Sequence, residues 1–374
     1  MALWNKEQGR TFIIAEIGQN HQGSLCIAKQ MIKAAKDCGA DCVKFQRSNL
    51  TEKFTATALA RPYTGPNSWG STYGEHKSWL EFSIAQYREL QRFASGNDIT
   101  FTASAMDAAS FCELDEQLCV PFIKIGSGDA DNVPLLRYAA NRTIPLVIST
   151  GMQDWNHIRT IYSMFRHRND VGLLHCVSSY PTPSEDTMLQ MIPLFRHHFP
   201  ELTVGYSGHE LGIQLSVASV GLGAQIVERH FTLDKSWKGT DHQASLNPAE
   251  FTRMVRCIRA METHVPDSTG SLVDQLRGVL EEEDFNEREL HVALQKVGVQ
   301  DRKLLDCERP CHNKLGKSLV YANDVYSGTV LAESDVMIKV SEPQGLSPLM
   351  YDSVVGKMVK LTTFKDKPIL EDHF

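Results

Sequence analysis

The sequence predicts an α/β protein: a parallel (β/α)8 barrel, the TIM barrel, followed by a small β-rich module. Three observations carry that expectation. Short apolar runs rich in β-branched residues recur eight times in the first two-thirds of the 374 residues. Helix-like stretches lie between them, and alternation of this kind builds a parallel sheet. Every run also ends in polar, hydrogen-bonding residues, at the position where such a barrel assembles its active site. A doubly wound open sheet is the alternative, because alternation alone does not say whether the sheet closes.

The first expected strand, Phe12–Ile17, runs into EIGQNHQG, which offers Glu16, Asn20 and His21. Ser24 can cap the next helix, in which Leu25, Ala28, Met31, Ile32 and Ala35 recur at helical spacing and Gly39 closes the turn. The second strand, Cys42–Gln46, carries Lys44 and Gln46. A long connection then runs from Leu50 to Lys77, rich in Gly, Pro and aromatic residues. Connections of that length inside a compact domain are usually lids or binding loops. The third strand, Ile99–Ala103, leads to Thr102 and Ser104, and the fourth, Pro121–Ile125, to Lys124, Ser127 and Asp129. The fifth, Pro145–Ser149, ends in Ser149 and Thr150. The sixth, Val171–Cys176, gives His175, Ser178, Ser179 and Tyr180. The seventh, Leu202–Tyr206, gives Ser207 and His209, and the eighth, Gln225–His230, ends in His230 and is followed by Asp241 and His242.

Residues 1–265 are therefore expected to form the barrel. Residues 266–306, which contain EEED and NERELHVALQKV, are expected to be a linker or a charged surface insertion that is helical in part. Residues 307–374, with short apolar runs between Gly and Pro turns, are expected to be the β-rich module.

Composition narrows the function. A net charge of −7 without a basic run argues against a nucleic-acid partner. No stretch approaches the ~18 apolar residues of a membrane span, and the N-terminus lacks the apolar core of a signal peptide. The nine cysteines are odd in number and scattered, with no C-x-x-C pair. A reduced, cytoplasmic protein is expected. Three motifs fail: HELGI lacks the second His of a zinc protease, GKS at Gly316 lacks the first P-loop glycine, and GLGAQI is not a dinucleotide fingerprint.

The strand ends suggest an anion site and a cation site. Lys44 and Lys124 lie beside hydroxyl-bearing, Gly-rich turns, a setting that binds phosphate; the alternative is a pair of structural, ion-paired lysines. Ser104, Ser127, Ser149 and Ser207 either cap the following helices or share an anion's charge. His209 and His230, at neighbouring strand ends, suit a divalent metal such as Mn²⁺ or Mg²⁺. In the long second loop, Arg61 can grip a phosphate with two prongs and Lys77 can supply a point charge.

FIIAEIGQNHQG, CGADCVKFQ, YGEHK, FTASAMD, PFIKIGSGD, STGMQ, SSYPTP, GYSGHELGI, ERHFTLDKSWKGTDH and NKLGKSLV together resemble the sialic acid synthase family. The likeness spans the chain except about residues 266–300, and the long second loop with TYGEHK is similar to the animal branch, which uses N-acetylmannosamine 6-phosphate. The resemblance implies a (β/α)8 barrel followed by an antifreeze-like SAF domain, in a domain-swapped homodimer whose SAF domains cover each other's sites. It implies condensation of phosphoenolpyruvate with N-acetylmannosamine 6-phosphate, with mannose 6-phosphate and the free sugar as further acceptors to test. Carried over by position, Lys44, Ser104, Lys124, Ser127, Ser149 and Ser207 would hold phosphoenolpyruvate, and His209 and His230 would hold Mn²⁺. Glu16, Gln46 and Asp129 would be the catalytic groups, with Ser178, Tyr180 and Asp241 on the substrates. Ser178 stands where the bacterial pattern has Asn, and Lys339-Val-Ser-Glu-Pro replaces an arginine-bearing turn of the SAF domain. A Schiff-base aldolase using Lys44 or Lys124, and a sugar- or ice-binding protein with the barrel as scaffold, are the competing readings.

Overall fold

The computed structural model describes Trp4 and residues 9–263 and 271–374. The boundary expected at 265/266 lies outside the described residues. Eight parallel strands close in sequential order into a barrel: β1 (Phe12–Gly18), β2 (Cys42–Arg47), β3 (Thr100–Ala105), β4 (Ile123–Ile125), β5 (Leu146–Ser149), β6 (Val171–Cys176), β7 (Thr203–Gly208) and β8 (Ile226–His230). The sheet closes, so the open-sheet alternative falls.

The period-two alternation of a strand sorts each run into two faces. In β1, Ile13, Ala15 and Ile17 join the large core between sheet and helices. Phe12 and Ile14 point the other way, into a plug at the barrel floor with Trp4, Cys42, Phe122, Val147, Leu174 and Ile226. The next inward positions along those strands are Glu16, Lys44, Lys124, Ser149, Cys176 and Glu228, all of which line the cavity above the plug. One alternation thus sets an apolar floor under a polar chamber.

The first helix, Leu25–Asp37, begins where expected: the Ser24 hydroxyl accepts from the Ile27 amide, and Ala28, Met31, Ile32 and Ala35 form its buried face. Residues expected to be a linker are helical over Leu272–Val279 and Glu287–Ala293. Leu276, Leu280, Leu290 and Ala293 enter the same core as the barrel helices. Their apolar spacing, not the neighbouring EEED charge run, sets where this stretch goes.

The C-terminal module has its own core, built from Leu319, Tyr321, Val325, Leu331, Val336, Val354, Val359 and Ile369. Its antiparallel pair is β9 (Ser318–Tyr321) and β10 (Val336–Lys339). It seats on the barrel of the same chain. The Val340 amide donates to Lys53 O at 2.8 Å, the Thr55 amide donates to Val340 O at 3.0 Å, and Arg137 pairs with Asp352. No helix among the described residues is long and apolar enough to cross a membrane.

Candidate active site

A cavity of about 450 Å³ opens at the C-terminal ends of the barrel strands. Strand register builds its floor. Glu16 pairs with Lys44 on one side and His230 on the other, Gln46 pairs with Ser104, Ser104 with Lys124, and Ser207 with Glu228. Residues far apart in sequence therefore become lateral neighbours in one ring.

At the anion end, Lys44 Nζ lies 2.6 Å from Glu16 Oε2 and donates to Ser104 Oγ at 2.9 Å. Lys124 Nζ donates to Ser149 Oγ at 2.6 Å. Glu228 stands near both ammoniums, and Ser207 Oγ donates to its Oε1 at 3.1 Å. Gln46 Nε2 donates to Glu16 Oε1 at 2.8 Å. Burial works against the charge on Lys44, but Glu16 and Glu228 outweigh it and hold its pKa above the ordinary lysine range. Burial pushes the Glu16 carboxyl up despite the pull of Lys44. Two lysines and two carboxylates share this end, so the resting site is near neutral and the hydroxyls are already aimed inward.

Beside this end, where β7 and β8 finish, the rings of His209 and His230 lie 5.6 Å apart between centroids. His209 Nδ1 contacts Val177 O at 2.8 Å. A carbonyl only accepts, so this nitrogen carries the proton and Nε2 is left to accept; burial opposes the ring's charge, but Cys176 beside it outweighs burial and raises the imidazole's pKa. His230 Nδ1 is buried without a hydrogen-bond partner. Burial, opposed by Asp241 and Glu228 and helped by His209 and Lys44, lowers the His230 pKa to about 3. His209 Nε2 and the unpartnered Nδ1 of His230 are the two imidazole nitrogens that suit a borderline divalent cation whose other ligands are water and substrate oxygens. Among the described residues, the three-carboxylate cluster able to close on one point is the exposed Glu281, Glu283 and Asp284, outside this cavity. Tyr180 covers the pair, its ring 4.1 Å from His209. Asp241 lies on the same wall, and Thr240 Oγ1 donates to it at 2.8 Å.

Asp129 forms a buried ion pair with Lys317, whose ammonium also donates to Met106 O at 2.8 Å. Burial raises the Asp129 carboxyl even so. Ser127 and Ser178 line the same cavity; Ser127 Oγ accepts from the Gly151 amide at 3.1 Å. Lys77 reaches the cavity and donates to Gln19 Oε1 at 2.7 Å.

Arg61 does not reach the cavity. Its guanidinium stacks 4.0 Å from the Tyr73 ring centroid and lies 3.6 Å from Glu342 of the C-terminal module. An aromatic face and a carboxylate turn it away from the site, which corrects the expectation that it grips substrate. His21 stacks on Phe82 and His175 bonds Thr187 O at 2.7 Å, so both are structural. Asn20 lines the cavity, but its amide is spent on Phe231 O and Ser245 Oγ.

The structure adds residues the sequence reading passed over. Glu228 was legible as a charge two residues before His230, hence on the same strand face. Lys53, Cys311, Lys314 and Lys317 also line the cavity. The last three come from the segment after the barrel, where Arg309–Leu315 forms a helix across its mouth. That segment is tied down by Arg302 and Glu308, both fully buried. Glu308 Oε1 accepts from the Met152 amide at 2.7 Å and the Ser178 amide at 2.9 Å. Arg302 donates to Thr150 O at 2.6 Å and pairs with Glu308 at 3.3 Å.

The family model of the NeuB family matches residues 31–269, and that of the SAF domain matches residues 316–374. The chain is 50% identical over 362 residues to the N-acetylneuraminate-9-phosphate synthase of Drosophila melanogaster, covering 96% of this chain and 94% of the relative. It is 45% identical over 370 residues to the enzyme of that name from Homo sapiens, covering 99% and 94%. Among solved structures, the spore coat polysaccharide biosynthesis protein SpsE of Bacillus subtilis superposes with a TM-score of 0.74 at 26% identity, over 97% of this chain and 95% of that one. With the barrel, its polar chamber and the family match over most of the chain in agreement, this protein belongs to the NeuB family.

Proposed function

We propose that the chain is an N-acetylneuraminate-9-phosphate synthase of sialic acid biosynthesis, a transferase that condenses phosphoenolpyruvate with N-acetylmannosamine 6-phosphate. The observation that carries this reading is the ring of Lys44, Ser104, Lys124, Ser149 and Ser207 at the ends of β2, β3, β4, β5 and β7, sharing one cavity with two imidazoles. Identity of 45–50% over nearly the whole length to synthases of that name supports it.

In the reaction, C3 of phosphoenolpyruvate bonds to the aldehyde carbon of the open-chain sugar. Positive charge develops at C2, water adds there, and phosphate departs. Lys44 and Lys124 hold the phosphate and carboxylate of phosphoenolpyruvate, and the serine hydroxyls share that charge. At ~4 Å two opposite charges interact by about 4 kcal/mol in a partly screened site, against about 1 kcal/mol in water, so two lysines hold an anion despite the acidic chain. Glu16 and Asp129 are the proton-handling groups, positioned by Gln46 and Lys317, and such acid–base help is typically worth ~10²–10⁴-fold. Ser127, Ser178, Tyr180 and Asp241 bound the space left for the sugar.

We assign His209 and His230 as ligands of a divalent metal, Mn²⁺ or Mg²⁺. When bound, such an ion polarises the aldehyde oxygen as a Lewis acid.

The family resemblance implies a domain-swapped dimer. The exposed, mixed surface of the C-terminal module leaves room for it, while the contacts of Lys53 with Val340 and of Lys317 with Asp129 favour a cover from the same chain. We read 307–374 as the cap and the stretch before it as its joint to the barrel. The described cysteines are all free thiols, which supports a cytoplasmic setting.

The test is release of inorganic phosphate from phosphoenolpyruvate. It should require N-acetylmannosamine 6-phosphate and yield the sialic acid 9-phosphate. Trapping of Lys44 or Lys124 by borohydride with free pyruvate, without any phosphate release, would replace this reading with a Schiff-base aldolase.

A further inference from the structure

We propose that the sugar's phosphate binds a second anion site in the cavity, formed by Lys53, Lys77 and Lys314. This rests on the synthase reading and deepens it.

The two ends of the cavity are built differently. At the phosphoenolpyruvate end each lysine has a carboxylate nearby. At the other end, among the described residues, no carboxylate lies within ion-pair distance of the cations, and Asp241 acts on Lys77 and Lys314 only at longer range. Lys53 is 5% exposed, and among the described residues no carboxylate lies within ion-pair distance of its ammonium. Its close neighbour is the Phe54 ring, 5.2 Å from Nζ to centroid. Lys77 bonds only the neutral Gln19, and it shares the Tyr73 ring with Lys314, at 5.5 and 5.9 Å from the centroid. Lys314 also lies 5.6 Å from the Tyr63 ring.

Buried charges without partners are costly, and three of like sign in one chamber repel one another. Burial first, then Lys77 and Lys317, pull the Lys53 pKa down to about 7, with Asp129 and Asp107 opposing. A chamber that keeps such a cluster is arranged for an anion. A phosphate monoester carries about −1.5 to −2 charge and three acceptor oxygens, which matches three separate ammoniums. The three lysines come from the turn after β2, the long loop and the helix after the barrel, so the site exists only where those elements meet. Arg61, held by Tyr73 and Glu342, is not part of it.

The experiment compares wild type with Lys53→Met and Lys314→Met. Each is assayed on N-acetylmannosamine 6-phosphate and on the free sugar, using the inhibition constant where turnover of the free sugar is undetectable. Each variant should lose roughly tenfold or more in kcat/KM for the phosphorylated sugar and change less than about twofold for the free sugar or in KM for phosphoenolpyruvate. A merely structural lysine would lower the melting temperature when replaced. Removing an uncompensated one should leave the melting temperature of the ligand-free Lys53→Met protein equal or higher, and inorganic phosphate should stabilise wild type more than either variant. Equal losses on both sugars, or a lower melting temperature with no difference in phosphate stabilisation, would overturn the site. Absence of phosphate release by wild type would instead overturn the synthase reading itself.

Discussion

Glu228 lies between the two buried lysines of the barrel, 3.7 Å from Lys44 Nζ and 3.5 Å from Lys124 Nζ. Burial opposes its charge, but Lys124 and Lys44 outweigh burial and pull the carboxyl down to about 2 from an ordinary 4.5. A depressed carboxyl stabilises the fold above its unfolded pKa and loses that contribution as pH falls through the folded one. Wild type should therefore lose stability between about pH 4.5 and about pH 2, and Glu228→Gln should lose less over the same window. Near neutral pH the variant leaves Lys124 without its carboxylate, while Glu16 still pairs with Lys44, at a cost of about 3–5 kcal/mol. Phosphoenolpyruvate should restore much of this, so its stabilising effect in urea titrations should be larger for the variant. An unchanged unfolding midpoint in the variant would contradict the arrangement.

His209→Ala and His230→Ala should each abolish bound metal and activity while leaving the melting temperature of the metal-free protein close to wild type. Metal content by atomic spectroscopy and the melting shift on adding Mn²⁺ give readouts independent of turnover. Full activity in the stripped protein would remove the metal from the reaction.

Arg302 and Glu308 should behave as a structural tie rather than as part of a free linker. Glu308→Ala leaves Arg302 charged and buried with the Met152 and Ser178 amides unsatisfied, and should cost about 3–5 kcal/mol. A chain cut near Leu305 loses Glu308 and should be markedly less stable than one cut after Lys317. Equal melting of the two truncated proteins would show that the tie contributes little.

Arg61→Ala should leave the KM for sugar phosphate within about threefold of wild type, since its partners are Tyr73 and Glu342. A loss comparable to that of Lys53→Met would mean that the loop rearranges when substrate enters.

Mixing two inactive variants distinguishes a cap on its own barrel from a swapped one. His209→Ala carries the lesion in the barrel and Lys317→Ala in the segment after it. If the cover acts within its own chain, the mixture stays inactive; if it acts on a partner, unfolding and refolding the two together should recover up to about a quarter of wild-type activity, since about half the dimers are mixed and each of these has one of its two composite sites intact.

The barrel was legible because its information is local. Each run of β1 to β8 announces itself by β-branched residues, and the last inward position of each run is polar, so Glu16, Lys44, Lys124, Ser149 and His230 could be placed from alternation alone. Arg61 could not. A long loop cation chooses between substrate, an aromatic face and a distant carboxylate, and Glu342 lies some 280 residues further along the chain. Lys314 and Lys317 were seen as part of NKLGKSLV but assigned to the module, because nothing local says that a helix after the barrel turns back over its mouth. The helical part of residues 266–306 is legible, but that Leu276, Leu290 and Ala293 enter the barrel's own core depends on distant packing partners and is not.

The match to the SAF domain begins at residue 316, yet Lys317 reaches Asp129 inside the barrel. The boundary drawn by sequence kinship and the boundary of the chemistry therefore do not coincide. An exchange of C-terminal modules between relatives at the kinship boundary would transplant a charge from the heart of the catalytic chamber along with the cap. Chimeras joined just before residue 316 would inherit the donor's proton-handling partner, whereas those joined after Lys317 would keep the recipient's. The recombination point alone would then decide whose chemistry the hybrid performs.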